Sequence, residues 1–522
     1  MSTATLDRDH VPLKTWIGVL GTVIGAFMAV VDIQITNSSL KDIQAALGAT
    51  LEEGSWISTA YLVAEIIVIP LTGWLSQVFS TRRYLLVNAT LFVIFSIACA
   101  SSWNLPSMIV ARACQGFTGG VLIPIAFTVI LTTLPQSKQP IGLALFGITA
   151  TFAPSIGPTL GGWLTENFSW HYVFYINIVP GILLLAGVWY AIEPRPMQLG
   201  LLKNGDWGGI IAMAIGLGSL QVVLEEGSRK DWFGSEFILR LAVVAAIFLT
   251  IFFAIEFTRK RPFINLRLLK NRNFGLASIV NVGLGLGLYG SVYILPLYLG
   301  QIQQYTALQI GEVLMWAGFP QLLLIPLVPR LMQKVDIRII VGTGVSLFAV
   351  SCFMNSNLTI DSGIDQLRWS QMVRAAGQPL ILVPLSSVAT AGLPPSQAGS
   401  ASGLFNMMRN LGGSFGIAVL ATLLTQREQF HSNRLGEAVS RYNSATQEAL
   451  NQSTQYFMSR GGADLATAQN QAIAAIANRV RQQAYLQAYN DCFYFIGFAL
   501  LISGIAVLFF KKIKASGMAG GH

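Results

Sequence analysis

The sequence predicts an all-α, polytopic membrane protein, and three observations carry that prediction. About fourteen apolar runs, each close to twenty residues long, fill nearly all of the 522 residues. Only 11% of the residues are charged and 53% are hydrophobic, whereas a soluble domain carries about 25% charged residues. The Lys and Arg residues fall unevenly on alternate connections between the runs. A helix rises about 1.5 Å per residue, so about twenty apolar residues cross a hydrocarbon core of about 30 Å. Lipid offers no hydrogen bonds, so each run must pair its own amides, and only a helix does so.

The spans are expected at residues 16–37, 55–75, 84–102, 106–131, 141–164, 172–191, 208–225, 237–257, 274–299, 308–331, 338–356, 369–393, 399–424 and 492–510. An even number returns both termini to one side. Connections on that side hold Arg82, Arg83, Lys138, Arg195, Lys203, a cluster from Arg259 through Lys260, Arg261, Arg267 and Lys270 to Arg272, then Arg330, Lys334, Arg338, Lys511, Lys512 and Lys514. The other side has Lys41, Arg229, Lys230 and Arg368. This bias puts both termini in the cytoplasm. The net charge of +9 is therefore a topology signal and not a nucleic-acid footprint. The first run is too long for a signal-peptide core and carries Asp32, so it is the first span.

A polar segment from Thr425 to Asn490, rich in Gln, Asn, Ala and Ser, interrupts the pattern before the last span. Ala466 through Ala488 are good helix formers, so helical pieces are expected there. It is either a functional outer loop or a passive insertion. A weaker feature is an internal echo. Arg112-Ala-Cys-Gln-Gly116 resembles Arg374-Ala-Ala-Gly377, and prolines follow at Pro124 and Pro384. Such repeats accompany two-bundle transporters.

Ionisable residues well inside spans are few: Asp32, Glu65, Arg112, Arg374 and Arg409. Each costs at least about 2.5–3.5 kcal/mol in hydrocarbon, so each should face a cavity or a partner. Asp32 shares a helical face with Thr36 and Ser39. Burial disfavours a charged carboxyl, so a buried acid can load and release a proton. Asp32 is the first candidate for proton coupling, against a permanent ion pair with an arginine such as Arg112. Glu65 has no local partner and is a second protonation site or a contact for cationic substrates. Arg112 and Arg409 keep their charge and suit fixed partners.

Ala153, Gly157 and Gly161 recur every fourth residue with Pro158 and Gly162 beside them, giving a side-chain-poor stripe and a kink between close helices. Gly412, Gly413 and Gly416 read alike. No phosphate-binding Gly-Lys-Ser/Thr loop and no Gly-x-Ser-x-Gly elbow occurs. His10, His171, His431 and His522 are too scattered for a metal site. Cys99, Cys114, Cys352 and Cys492 show no disulfide framework. No cofactor and no enzymatic chemistry is expected.

At these residues the chain resembles the fourteen-span drug:proton antiporters of the major facilitator superfamily, most closely the EmrB-type pumps of Gram-negative bacteria. Val31-Asp32-Ile-Gln-Ile-Thr-Asn37 is similar to the family's first acidic motif, and Arg112-Ala-Cys-Gln-Gly116 to its arginine motif. Gly157-Pro-Thr-Leu-Gly-Gly162 is similar to its antiporter motif, and the stretch from Gly73 through Gln77 to Arg82 and Arg83 stands at its gating loop. Trp170 to Pro180 and Gly227 to Trp232 are further family-like stretches. Gln77 replaces the usual aspartate and Ser80 the usual glycine, while Ala144 and Ala153 replace glycines of the antiporter motif. Glu65 lies outside the common pattern.

The resemblance implies a major facilitator fold of two six-helix bundles plus two extra helices. Residues 1–191 would form the first bundle, 192–258 a linker with spans seven and eight, and 259–522 the second bundle with loop 425–490. The expected sites are proton coupling at Asp32, Glu65 and Arg112, and a substrate cavity with Glu65, Thr36, Asn37, Gln115 and Arg409. The expected function is proton-driven export of hydrophobic or amphipathic compounds from a bacterial inner membrane. A periplasmic adaptor and an outer-membrane channel are the expected partners. The rival readings are an exporter of one metabolite, such as a fatty acid or siderophore, and a membrane sensor or scaffold.

Overall fold

The computed structural model describes residues 11–203, 205–259, 263–391, 393–394, 397–440, 442–461 and 464–511. Lys260, Arg261, Lys512, Lys514, His10 and His522 lie outside the described residues. Among the described residues, fourteen helices are long and apolar enough to cross a membrane. They are α1 (Leu13–Ser38), α2 (Glu52–Val78), α3 (Thr81–Ala100), α4 (Leu105–Thr133), α5 (Gln139–Asn167), α6 (Tyr172–Ala191), α7 (Trp207–Glu226) and α8 (Glu236–Thr258). There follow α9 (Arg272–Gln301), α10 (Ala307–Lys334), α11 (Ile337–Asn357), α12 (Ile364–Thr390), α13 (Ala398–Ala438) and α15 (Leu465–Phe509). Between the last two lies α14 (Ser444–Gly461), which is polar and packs on α15.

Local chemistry sets the helix starts. Asn104 and Ser107 form a reciprocal cap that opens α4, and Thr306 and Gln309 do the same for α10. Each satisfies amides that the first turn leaves unpaired. Asp206 opens α7 by accepting from the Gly209 amide at 2.9 Å.

In the first half, α1 packs on α5, α6 and α4, and α4 packs on α2 and α3. In the second, α9 packs on α13, α12 and α15, and α11 packs on α12 and α15. The halves meet where α5 touches α10 and α12, and where α13 touches α2 and α4. The pair α7–α8 stands outside this seam. α7 touches both α2 and α13, while α8 packs chiefly on α7 and is the least buried span.

Alternating helix directions define two faces, the terminal face with the chain ends and the hairpin face with α14. On the terminal side the seam is tight. Gly73 of α2 meets Gly399 of α13 so closely that a Cβ on either would press on the other's backbone. Above them Phe127 of α4 packs edge-on with Phe146 of α5 at 5.4 Å and tilted against Phe405 of α13 at 6.2 Å. The Ser402 hydroxyl donates to the Pro124 carbonyl at 2.8 Å. Aromatic pairs of this kind add about 0.5–1.5 kcal/mol each beyond burial. Towards the hairpin face, Gly162 of α5 abuts Ala307 of α10, and Gly311 of α10 abuts Thr159.

The helix at 399–424 runs on to Ala438, and the one at 492–510 starts at Leu465. At about 1.5 Å per residue each exceeds about 60 Å, twice the hydrocarbon core. Their polar ends form a helical projection on the hairpin face. At its base the Asp491 carboxylate accepts from Arg427 Nε at 2.6 Å and faces His431 Nε2 at 2.7 Å.

Candidate functional site: two charged centres in the membrane

Asp32 lies on α1 and Arg112 on the first turns of α4, both towards the hairpin face. Arg112 Nη1 donates to Asp32 Oδ2 at 2.7 Å. The other carboxylate oxygen accepts from Gln115 Nε2 at 3.0 Å and from Asn177 Nδ2 at 2.6 Å. Ser96 of α3 closes the set, accepting from Gln115 at 3.0 Å and from Asn177 at 2.8 Å. Arg112 also donates to Gln115 Oε1 at 2.7 Å and to the Ile57 carbonyl at 3.3 Å. Its guanidinium lies over the Tyr61 ring at 4.3 Å. The network joins α1, α2, α3, α4 and α6. Asp32 is 0% and Arg112 1% exposed, so the centre is sealed.

Glu65 stands one helical turn beyond Tyr61 on α2, near mid-depth. Its stem packs at Gly120, where α4 is interrupted between Gly119 and Leu122. No ion pair closes on Glu65 among the described residues. Its charged neighbours are Arg409, Arg112 and Asp32. Arg409 is at mid-depth on α13, across the seam. Its Nη2 donates to Asn406 Oδ1 at 3.0 Å, and its Nε has no partner among the described residues. The two halves thus contribute opposite charges to one level of the seam, with the Phe127–Phe146–Phe405 cluster between them and the terminal face.

The other expected residues separate into groups. Thr36 is 0% exposed and its hydroxyl bonds back to the Asp32 carbonyl at 2.8 Å. Gln115, also 0% exposed, belongs to the sealed network. Neither lines a cavity here, because backbone and ion pair consume their polar atoms. Asn37 is exposed at the rim and accepts from Ser58 at 2.7 Å. Ala153, Gly157, Pro158 and Gly161 belong to α5. Any Cβ at Gly157 or Gly161 would overlap Gln34 or Ser38 of α1, so that stripe is helix packing. In the gating loop, Arg82 donates to the Trp189 carbonyl at 2.8 Å, while Gln77 and Arg83 are exposed. With glutamine in place of a carboxylate, the loop pins Arg82 to its own half.

Arg374 mirrors Arg112 in sequence but not in chemistry. It reaches Gln371 Oε1 at 3.3 Å and meets no carboxylate among the described residues. Sequence reasoning missed Asn177 and Ser96. The only signal was that Asn177 falls within the family-like stretch Trp170–Pro180.

The major facilitator superfamily profile matches residues 22–417. The chain is 36% identical over 504 residues to the colistin resistance protein EmrB of Acinetobacter baumannii, covering 96% of this chain and 98% of that protein. It is 32% identical to the multidrug export protein EmrB of Escherichia coli, over 95% of this chain and 96% of that one. It is 31% identical to the fatty acid resistance protein FarB of Neisseria gonorrhoeae, over 98% and 100%. Among solved structures, the human organic anion transporter MFSD10 superposes with a TM-score of 0.59 at 12% identity, over 95% of this chain and all of the other. A bacterial homologue of the lysosomal transporter Spinster gives 0.54 at 13% identity, over 97% and 100%. Fold, motifs and these matches agree, and the chain belongs to the major facilitator superfamily, among its EmrB-type members.

Proposed function

We propose that this protein is a proton-coupled antiporter that exports hydrophobic and amphipathic toxic compounds, antibiotics among them. The observation that carries the reading is the division of labour between the two charged centres. Asp32 is bound by Arg112, Gln115 and Asn177 in a sealed network. Glu65 and Arg409 stand at one level on opposite sides of the seam between the halves. Protonating Asp32 removes its charge, and with it the attraction that ties α1 to α4. α1 in turn packs on the glycine stripe of α5, which contacts the second half. A proton can thereby bias how the halves meet, while Glu65 and Arg409 hold the polar end of a cargo. The printed names of the relatives, colistin resistance, multidrug export and fatty acid resistance, fit amphipathic cargo.

The reading includes a bacterial inner membrane, with the terminal face in the cytoplasm and the hairpin face in the periplasm. The basic residues on the terminal side support that orientation. It also includes a periplasmic adaptor and an outer-membrane channel. The projection of α13, α14 and α15 supports this, because Tyr456, Met458, Leu465 and Ile473 are apolar and 51%, 42%, 56% and 47% exposed on it. A second reading, export of one fatty acid, is favoured by a single feature, the Arg409 guanidinium that could take a carboxylate. The deciding test measures efflux of dyes and of fatty acid from cells with and without a proton uncoupler. Efflux of several unrelated amphiphiles that stops with the uncoupler supports the multidrug reading. Efflux of fatty acid alone supports the second, and uncoupler-resistant efflux overturns both.

A further inference from the structure

The hairpin-side end of α7 carries polar groups that the proposed transport mechanism leaves unused. Glu226 is an anchor. Its Oε1 accepts from Ser55 at 3.0 Å and from Thr59 at 2.9 Å, both on α2, and its Oε2 pairs with Arg229 at 3.6 Å. At 1% exposure it fixes the end of α7 against the first half. Trp232 Nε1 donates to Thr422 Oγ1 at 2.8 Å and ties the following turn to α13. These contacts anchor the end of α7 that carries Gln221 and Glu225 to both α2 and α13.

Gln221 is 2% exposed. Its Nε2 donates to Glu225 Oε1 at 3.0 Å and to Ser414 Oγ of α13 at 2.9 Å. Its Oε1 is buried with no partner among the described residues. A buried polar atom left unpaired costs about 1–3 kcal/mol, so its persistence needs a reason. Glu225 has no ion pair among the described residues, since Arg229 is taken by Glu226. Tyr289 of α9 donates to Asn410 Oδ1 of α13 at 3.3 Å. Ser414 lies five residues beyond Arg409 on the same helix, a rise of about 7.5 Å.

We propose that Glu225, Gln221 and Ser414 form a second subsite that takes the protonated amine of an amphipathic cation. A carboxylate and an orphan amide oxygen are acceptors, and a ligand that satisfies both must bring N–H donors and positive charge. Glu65 attracts the same group at mid-depth, so a cation passes from one carboxylate to the next towards the hairpin face. The extra pair α7–α8 thereby supplies part of the selectivity, beyond filling space beside the bundles. This inference rests on the export reading above.

The test uses the purified full chain in liposomes under an imposed proton gradient, with a tertiary-amine dye and a neutral hydrophobic dye. KM and kcat are measured for each, and equilibrium binding of the amine dye is measured in detergent. Glu225→Gln should raise KM for the amine dye about tenfold relative to the neutral dye, the size of one lost charged hydrogen bond. Glu225→Asp should recover most of the difference. Ser414→Ala should move the ratio the same way by less, which covers a Glu225 variant that does not fold. A ratio unchanged in folded Glu225→Gln overturns the subsite, and so does an equal loss for both dyes. Should the wild type pump neither dye, the export reading fails. The binding measurement then decides the subsite alone: weaker amine-dye binding by Glu225→Gln supports it, and unchanged binding overturns it.

Discussion

Arg112 Nη1 stands 2.7 Å from Asp32 Oδ2, and the two side chains are 1% and 0% exposed. Neither charge has water to fall back on, so each depends on the other. Removing one partner of such a pair typically costs about 3–5 kcal/mol. Arg112→Ala should therefore lower the thermal midpoint markedly. A variant with the wild-type midpoint would reduce Arg112 to a packing residue.

Asp32→Asn keeps shape but cannot titrate. Uphill export should fall to background, while substrate counterflow without a gradient remains measurable. An asparagine also offers N–H groups where Gln115 and Asn177 already donate, so some loss of stability is expected. Uphill export at the wild-type rate would remove Asp32 from the coupling step.

Glu65 stands opposite Arg409, and the pair makes the seam bipolar. Glu65→Gln should leave a net positive level there and weaken export of cationic dyes about tenfold relative to neutral ones. Transport rates for matched cationic and neutral dyes give the answer. Equal losses for both would mean that Glu65 acts in proton handling or folding.

Ser80 has φ 69° and ψ 132° at the start of α3. A Cβ is penalised there by about 1–2 kcal/mol, and glycine escapes that at about 0.5–1 kcal/mol of chain entropy. The glycine usual at this point of the motif thus has a backbone reason, and this chain bears the strain. Ser80→Gly should stabilise by up to about 1 kcal/mol, with a rise in thermal midpoint of about 1–2 °C. A lower midpoint would mean that the Ser80 side chain compensates.

The spans and the two members of the ion pair are legible because hydrocarbon penalises charge so heavily. Few ionisable residues survive in spans, Asp32 and Arg112 among them, but in the sequence their pairing is only the alternative to a proton-coupling Asp32. Asn177 and Ser96 are not legible, since neutral polar residues are common in spans and usually bond to their own helix, as Thr36 does. Glu226 and Ser55 are 171 residues apart, and no local spacing signals their contact. Hydropathy also ended two helices early, at 424 and 492, because α13 and α15 continue as polar helices outside lipid. There helix propensity, not apolarity, is the signal.

That projection carries the last prediction. The Asp491 carboxylate, with Arg427 and His431, fixes where α13 and α15 leave the bundle. Beyond that base α14 packs on α15. Apolar side chains such as Tyr456 of α14 and Ile473 of α15 are left exposed. Helices of this polarity gain little from propensity alone, which is why the proposed adaptor is placed on this surface. Residues 435–480 can be replaced by a short Gly/Ser linker, because antiparallel packed helices lie about 8–10 Å apart. Transport in liposomes should survive, since Asp32, Glu65 and Arg409 are untouched. Resistance of cells with an intact outer membrane should fall, and co-purification of the adaptor should be lost. If both persist in the shortened protein, the projection is a passive extension and the adaptor docks elsewhere.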